Sequence, residues 1–272
     1  MRTFYIITNS SKDPDYLVTN KIKKLIETSG GKAIIADEVE GISPLLDDIT
    51  CILSLGGDGT LIRAAGELHE HETPLIGVNL GTLGYLTEIE RNTLEVDIMQ
   101  LVNGETFIEE RMMLAGHVKD EKEVALNDIV LTREGDVRTI RFQIYVNGSY
   151  LHSYKADGII VSTPTGSSGY SMSAGGPIVE PTASLFIMTP ICSHSLNNKS
   201  IILSSDDVIE IVLGEGREGA VEVANVSFDG GKSSQILTGD RVKITKADKT
   251  MKLMKLSSES FLDTLRKKMV GN

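Results

Sequence analysis

The residues best suited to chemistry stand in one short run, Leu55-Gly56-Gly57-Asp58-Gly59-Thr60. The apolar stretch Ile49–Leu55 leads into it, and the helix-compatible stretch Leu61–Ala65 follows. This is a buried strand, a tight glycine turn and a helix start, the arrangement by which α/β folds hold phosphates. Three glycines in four residues predict a backbone that turns with positive φ and comes close to a ligand. Asp58 sits poorly against bare phosphates. It fits beside a metal, or beside a hydroxyl whose proton must be removed. A plainer reading is a strand-to-helix turn with Asp58 as its N-cap, but the glycines are denser than such a turn needs.

The elements around this run set its position. Phe4–Ile7 reads as a first strand, and Asp13 as the cap of a helix with Pro14 at its first position. Val18, Ile22, Leu25 and Ile26 recur at helical spacing, and Gly30-Gly31 ends that helix. Ala33–Ala36, Ile49–Leu55 and Pro74–Asn79 are further strands, with a helix from the glycine turn to about Glu70 and another over Thr93–Val102. Strands alternating with helices imply right-handed crossovers and a Rossmann-like parallel sheet, with ligands beyond the carboxyl ends of the strands. A second glycine turn, Asn79-Leu80-Gly81-Thr82-Leu83-Gly84-Tyr85-Leu86, falls at the same edge. Neither turn has the dinucleotide pattern G-x-G-x-x-G, and no Walker A loop is present.

Near residue 107 the pattern changes to short strand-length runs: Met113–Val118, Val124–Leu131, Thr139–Val146, Ser149–Tyr154, Gly158–Ser162, Ser200–Leu203, Asp207–Leu213, Val221–Phe228 and Asp240–Thr245. Asn147-Gly148 between two of them marks a two-residue hairpin. The expected organisation is an α/β domain over 1–106, a β-rich, sandwich-like domain over 107–256, and a C-terminal amphipathic helix over 257–272 that returns to the first domain. The second domain carries another polar stretch, from Lys155-Ala156-Asp157-Gly158 through Thr163-Pro164-Thr165-Gly166-Ser167-Ser168-Gly169-Tyr170 to Ala174-Gly175-Gly176-Pro177. Its amides and hydroxyls suit a ribose, an amide or a phosphate. No G-x-S-x-G elbow supports a serine hydrolase.

Composition narrows the class. The chain has 272 residues, 40% hydrophobic and 24% charged, with a net charge of −11. That balance disfavours a nucleic-acid or anionic-membrane surface, which needs clustered positive charge. Cys51 lies in an apolar strand and Cys192 far from it, with no metal or disulfide spacing. No stretch approaches a signal peptide or a membrane span, so a cytoplasmic protein is expected.

In order and spacing these motifs resemble the NAD kinases: Gly56-Gly57-Asp58-Gly59-Thr60, the Asn79–Leu86 turn, Asn127-Asp128, Asp157-Gly158, Ser162–Ser167, Ser173–Pro177 and Pro190–Leu196. The first motif also occurs in lipid kinases; the later ones separate the chain from those. The resemblance implies an α/β domain followed by a β-rich domain, in a homodimer or homotetramer. It implies transfer of the γ-phosphoryl of ATP, or in some members of inorganic polyphosphate, to the 2′-hydroxyl of NAD's adenosine ribose, assisted by Mg²⁺ or another divalent ion. Asp58 is then the general base. Gly56, Gly57, Gly59 and Thr60 hold phosphate, and Gly59 and Arg63 contact substrate. Asn127 and Asp128 match the pair that holds ribose hydroxyls and adenine-side groups. Asp157 matches the aspartate at the nicotinamide end, with Lys155 two residues before it. Arg138 falls at a position of frequent ligand contact. Thr165 and Ser168, Gly169, Tyr170, Ser171, Met172 and Ser173 match the loop around adenine and ribose, where Tyr170 is placed to stack. No protein metal ligand is assigned.

Three departures stand out. The family's Gly-Ser-Thr-Ala-Tyr is here Gly166-Ser167-Ser168-Gly169-Tyr170, Ser193 replaces a common proline, and Asp229-Gly230-Gly231 stands where relatives have Asp-Gly-Gln. Gln235 is nearby. The competing readings are a lipid-type kinase that shares the glycine turn, and an NAD(P)-binding sensor without turnover, for which a base at position 58 has no use.

Overall fold

The computed structural model describes residues 1–36, 49–81, 84–135, 139–194, 199–256 and 260–270, with side chains of the last segment to Lys267. The first elements are β1 (Thr3–Thr8), α1 (Leu17–Thr28), β2 (Lys32–Ala36), β3 (Cys51–Gly56), α2 (Asp58–Glu67), β4 (Leu75–Asn79), β5 (Thr87–Ile89), α3 (Leu94–Asn103) and β6 (Phe107–Arg111). Then come β7 (Leu114–Val118), β8 (Glu121–Ala125), β9 (Asp128–Arg133), β10 (Ile140–Val146), β11 (Ser149–Ala156), β12 (Gly158–Ser162), a 3-10 turn at Thr165–Ser168 and α4 (Tyr170–Ser173). β13 (Leu185–Ile191), β14 (Ile201–Ser204), β15 (Ile209–Leu213), β16 (Val223–Phe228), β17 (Ser233–Leu237), β18 (Arg241–Lys246), β19 (Met251–Lys255) and α5 (Phe261–Val270) complete the order.

The chain divides into two compact units, one of Met1–Glu110 with Met251–Asn272, the other of Arg111–Thr250. The return to the first unit begins with β19, ahead of the terminal helix. In the first unit a seven-stranded sheet runs β2-β1-β3-β4-β19-β6, with β5 paired to β4. The pairs β1–β2, β1–β3, β3–β4 and β4–β19 are parallel, as alternating strands and helices require. Its core packs Phe4, Ile6, Leu53, Leu55, Ile76 and Val78 of the sheet against Ile22, Ile26, Ile98 and Leu101 of the helices. Each such fully buried side chain contributes about 1.5–3 kcal/mol relative to an exposed one.

Asp13 caps α1, but the helix starts three residues later than the Pro14 reading. The Asp13 carboxylate accepts the N–H of Val18 at 3.2 Å and of Thr19 at 2.9 Å, which fixes the first turn at Leu17 and leaves Tyr16 in a left-handed conformation. Helix α2 begins at Asp58 itself and stops at Glu67, short of Glu70.

The second unit is built of two six-stranded antiparallel sheets, β11-β10-β15-β18-β7-β8 and β14-β13-β12-β9-β16-β17. Phe142, Ile144, Ile211 and Val242 from one meet Ile129, Leu131, Ile159, Val161, Phe186 and Met188 from the other in a shared apolar core. The Asn147-Gly148 turn has φ of 52° and 77°, as the hairpin between β10 and β11 needs. The run Val124–Leu131 is two strands, β8 and β9, with a break at Leu126-Asn127. Strands β5, β6, β13, β17 and β19 were not anticipated from the sequence. Among the described residues, no helix is long and apolar enough to cross a membrane.

Candidate active site

The carboxyl ends of β1, β3 and β4 lie level: Thr8 pairs with Leu55, and Gly56 with Asn79. The Asn9 N–H donates to Leu55 O at 2.9 Å, and the Leu80 N–H to Gly56 O at 2.8 Å. The loops leaving the three strands therefore meet at one edge. They enclose a cavity of about 310 Å³ lined by Asn9, Lys12, Gly57, Asp58, Gly59, Thr60, Arg63 and Gly84. Gly56 is buried behind this lining.

Asp58 does not cap its own helix. Its carboxylate crosses to the second glycine turn, accepting the Tyr85 N–H at 2.7 Å and the Leu86 N–H at 3.1 Å. A methyl on Gly84 would collide with this carboxylate, so the glycine is what lets Asp58 approach the turn. The group is held by two amides and lines the cavity.

None of Gly56, Gly57 and Gly59 has a positive φ, and close packing within the protein calls for glycine at Gly56. A side chain at 56 would strike the Thr60 hydroxyl, and one at 57 would lie 3.0 Å from Lys12 Nζ. At Gly59 a methyl would meet no protein atom within 4 Å. The Thr60 N–H folds back on Gly57 O at 3.0 Å, and the Thr60 hydroxyl accepts from Asn9 Nδ2 at 3.3 Å. Among the described residues this leaves the amides of Asp58 and Gly59 without a backbone partner at the positive end of α2, a setting for an anion.

In the second unit strand register gathers the other residues. Asp128 at the start of β9 pairs with Ser162 at the end of β12, and Ile129 with Phe228 at the end of β16. Asn127, Thr165 and Asp229 therefore share one end of that sheet. Asp229 binds the backbone of Leu126, Asn127 and Asp128 at 2.7, 2.8 and 3.0 Å. This clamp is the physical reason the run breaks between β8 and β9. Asn127 O accepts the Thr163 N–H at 2.8 Å, and Gly166 presses so closely on Asn127 that any side chain would collide with its backbone. The side-chain oxygen of Asn127 is buried with no partner, an acceptor awaiting a donor. Thr165 is buried and accepts from Arg111 at 3.3 Å. Burial, and then the charge of Asp229, push the Asp128 carboxyl up to about 7. Burial also raises Asp229, against the opposing effect of the three amides.

Tyr170, Met172 and Ser173 are exposed on α4, with Ser168 and Gly169 half-buried before it. Ser171 differs from its expected role: it is buried, its hydroxyl 3.3 Å from that of Thr189. Lys155 and Asp157 lie at the opposite end of β12, a five-residue strand about 16 Å long. They line a separate cavity of about 660 Å³ with Arg141, His194, Glu215, Arg217 and Glu222. Asp157 there takes Arg133 Nε at 3.2 Å. Arg138, Thr82, Leu83, Ser195 and Leu196 lie outside the described residues.

Two family models cover most of this chain: the ATP-NAD kinase N-terminal domain matches residues 8–106, and the ATP-NAD kinase C-terminal domain matches 126–256. An NAD kinase of Agathobacter rectalis is 48% identical, covering 100% of this chain and 99% of its own. The chain belongs to the NAD kinase family. An NAD kinase of Lachnospira eligens is 42% identical over 99% of this chain and all of its own. Among solved structures, an NAD kinase from Archaeoglobus fulgidus in complex with ATP superposes with a TM-score of 0.81 at 26% identity, covering 98% of both chains. Yeast NADH kinase complexed with NADH has the same fold, with a TM-score of 0.82 at 22% identity over 100% of this chain and 88% of that one.

In this member of the NAD kinase family, folding also brings Asn9 and Lys12 to the glycine cavity, Arg111 to Thr165 and Arg133 to Asp157, and none of these four stands in a local motif. Asp229 belongs to the Asp229-Gly230-Gly231 departure from Asp-Gly-Gln. Gln235 binds Glu134 at 2.5 Å on the surface. A divalent cation fits the glycine cavity as a passenger on a triphosphate. Among the described residues no cluster of three or more His, Cys, Asp or Glu is placed to cage one, and Asp58 is the one carboxylate of the lining. Mg²⁺ characteristically binds through substrate phosphates with one or two protein carboxylates.

Proposed function

We propose that this member of the NAD kinase family transfers the γ-phosphoryl of ATP to the 2′-hydroxyl of NAD's adenosine ribose, with Asp58 as general base. The observation that carries the reading is the Asp58 carboxylate, pinned by the Tyr85 and Leu86 amides inside a cavity floored by glycine. A ribose hydroxyl is a poor nucleophile at neutral pH, and a carboxylate on its proton supplies about 10²–10⁴ in rate. The two amides stop the carboxylate from rotating, so the accepting oxygen is set before substrate arrives.

Phosphoryl transfer asks the protein for positioning and charge stabilisation. The free amides of Asp58 and Gly59 at the α2 N-terminus face the phosphates, and Arg63, one turn along, adds positive charge. A divalent ion carried by the triphosphate would supply charge neutralisation on its oxygens, and Asp58 is the carboxylate of the lining that could help hold it. On the acceptor side, the unpartnered Asn127 oxygen accepts from the adenine amine. Asp128 and the Thr165–Gly169 backbone hold the ribose, and exposed Tyr170 stacks on the base. Lys155 and Asp157 serve the nicotinamide end, in keeping with their place at the far end of β12.

Asp58→Asn can keep only one of the two amide contacts, because its Nδ2 donates and cannot accept, and it cannot take a proton. The expected result is a fall in kcat of about 10²–10⁴, with the calorimetric Kd for NAD within twofold of wild type. A fully active variant would remove Asp58 from the role of base.

A further inference from the structure

We propose that Lys12, in the loop after β1, is a phosphate-binding residue that clamps the polyphosphate chain of the donor against both glycine turns; this rests on the kinase reading above. Three observations on the first unit carry it.

The first is reach. Lys12 Nζ lies 3.0 Å from the point where a side chain on Gly57 would begin, and 3.6 Å from the corresponding point on Gly81. One ammonium thus overhangs turns that leave two different strands, β3 and β4. Gly57 has φ −160° and ψ −173°, extended backbone open to any residue. A side chain at 57 would meet the Lys12 ammonium, which shows how closely the lysine reaches this turn.

The second is anchoring. The Asn9 carbonyl accepts the Lys12 N–H at 2.9 Å and the Asp13 N–H at 3.2 Å, and Asn9 Nδ2 donates to the Thr60 hydroxyl. Asp13, buried, then ties the loop to the first turn of α1. These bonds hold the Lys12 backbone at the cavity, whose lining includes its side chain.

The third is charge. Among the described residues the Lys12 ammonium has no hydrogen bond and no ion pair, whereas Lys21, Lys232 and Lys252 each hold a glutamate. The Asp58 carboxylate is held by the Tyr85 and Leu86 amides and makes no ion pair with Lys12. An unneutralised cation beside two free amide donors is a site for a multiply charged anion. Lysine acts there as a point charge, which suits an oxygen-rich chain without fixed geometry.

The test is the binding of inorganic tripolyphosphate and of adenosine to wild type, Lys12→Met and Lys12→Arg by calorimetry, alongside steady-state kinetics. Lys12 is exposed, so both variants keep the wild-type melting temperature. Loss of one charged contact weakens tripolyphosphate binding to Lys12→Met at least about tenfold. Adenosine binding and the Kd for NAD stay unchanged, KM for ATP rises or kcat falls, and Lys12→Arg recovers most of the effect. Equal tripolyphosphate affinity in wild type and Lys12→Met overturns the proposal, whatever the kinetics show. Wild type that binds tripolyphosphate through Lys12 yet forms no NADP overturns the kinase reading and leaves the phosphate site standing.

Discussion

Asp58 and Gly59 are neighbours with opposite accounts. Asp58 is held by contacts inside the protein, while Gly59 answers to nothing in the protein: its φ is negative and a methyl there meets no atom within 4 Å. It also sits in helix α2, where glycine costs about 0.5–1 kcal/mol relative to alanine. Gly59→Ala is therefore expected to raise unfolding stability by about that amount, measured by urea denaturation. In the same variant kcat/KM for ATP falls, because the methyl occupies phosphate space. Unchanged kinetics would show that no ligand comes close to residue 59. The strand, turn and helix start around residues 56–60 were legible in the sequence; the reason for Gly56 was not, because positive φ is the usual cause and crowding by Thr60 becomes visible only in the folded turn.

At the scale of elements, the loop between β8 and β9 stores the most consequential charges. The ordinary carboxyl value is 3.8, and in the folded chain Asp128 is pushed up to about 7 by burial and then by Asp229. The folded state thus binds this proton more tightly than the unfolded chain. The stability Asp128 contributes is full below about pH 4 and is lost as pH rises to about 7. Asp13, whose hydrogen bonds from Thr19, Val18 and Leu17 outweigh its desolvation and hold it below the ordinary value, works in the opposite sense. Comparing Asp128→Asn with wild type cancels that background. Between pH 5 and pH 8 wild type should lose stability relative to the variant, by at most ~3 kcal/mol, in denaturant titrations at the two values. Parallel pH dependence in both proteins would contradict the buried pair. The sequence offered no warning, since Val124–Leu131 reads as one apolar run and the clamp comes from Asp229, about a hundred residues away. Strands β1, β3 and β4 were readable because continuous apolar runs ended in turn residues. β13 carries Pro190, which argues against a strand, and β17 is half polar, so neither announced itself.

For the whole molecule, the change of pattern near residue 107 was legible, and the return at Met251 was not. A short run such as Met251-Lys252-Leu253-Met254-Lys255, with lysines among its apolar residues, gives no sign that its parallel neighbour, β4, was laid down far earlier. Its consequence is large. Met251, Leu253 and Met254 are buried in the first unit, and together they contribute roughly 5–9 kcal/mol. That is comparable to the entire stability of an ordinary domain, about 5–15 kcal/mol. A fragment of residues 1–110 lacks β19, exposes the edge of β4, and should show no cooperative unfolding by circular dichroism. A fragment of residues 111–250 keeps both six-stranded sheets whole and should unfold cooperatively. A cooperatively folded 1–110 fragment would make β19 dispensable.

The measurement that bears most directly on the central claim is an end-point assay of the purified full chain with ATP, Mg²⁺ and NAD. Product is read through a dehydrogenase that accepts NADP and rejects NAD, so the signal reports phosphate on the adenosine 2′-hydroxyl alone. The account predicts NADP in proportion to ATP consumed, and none from Asp58→Asn in the same time. Tight NAD binding by wild type with no NADP formed would contradict it and leave the chain a dinucleotide-binding protein without turnover.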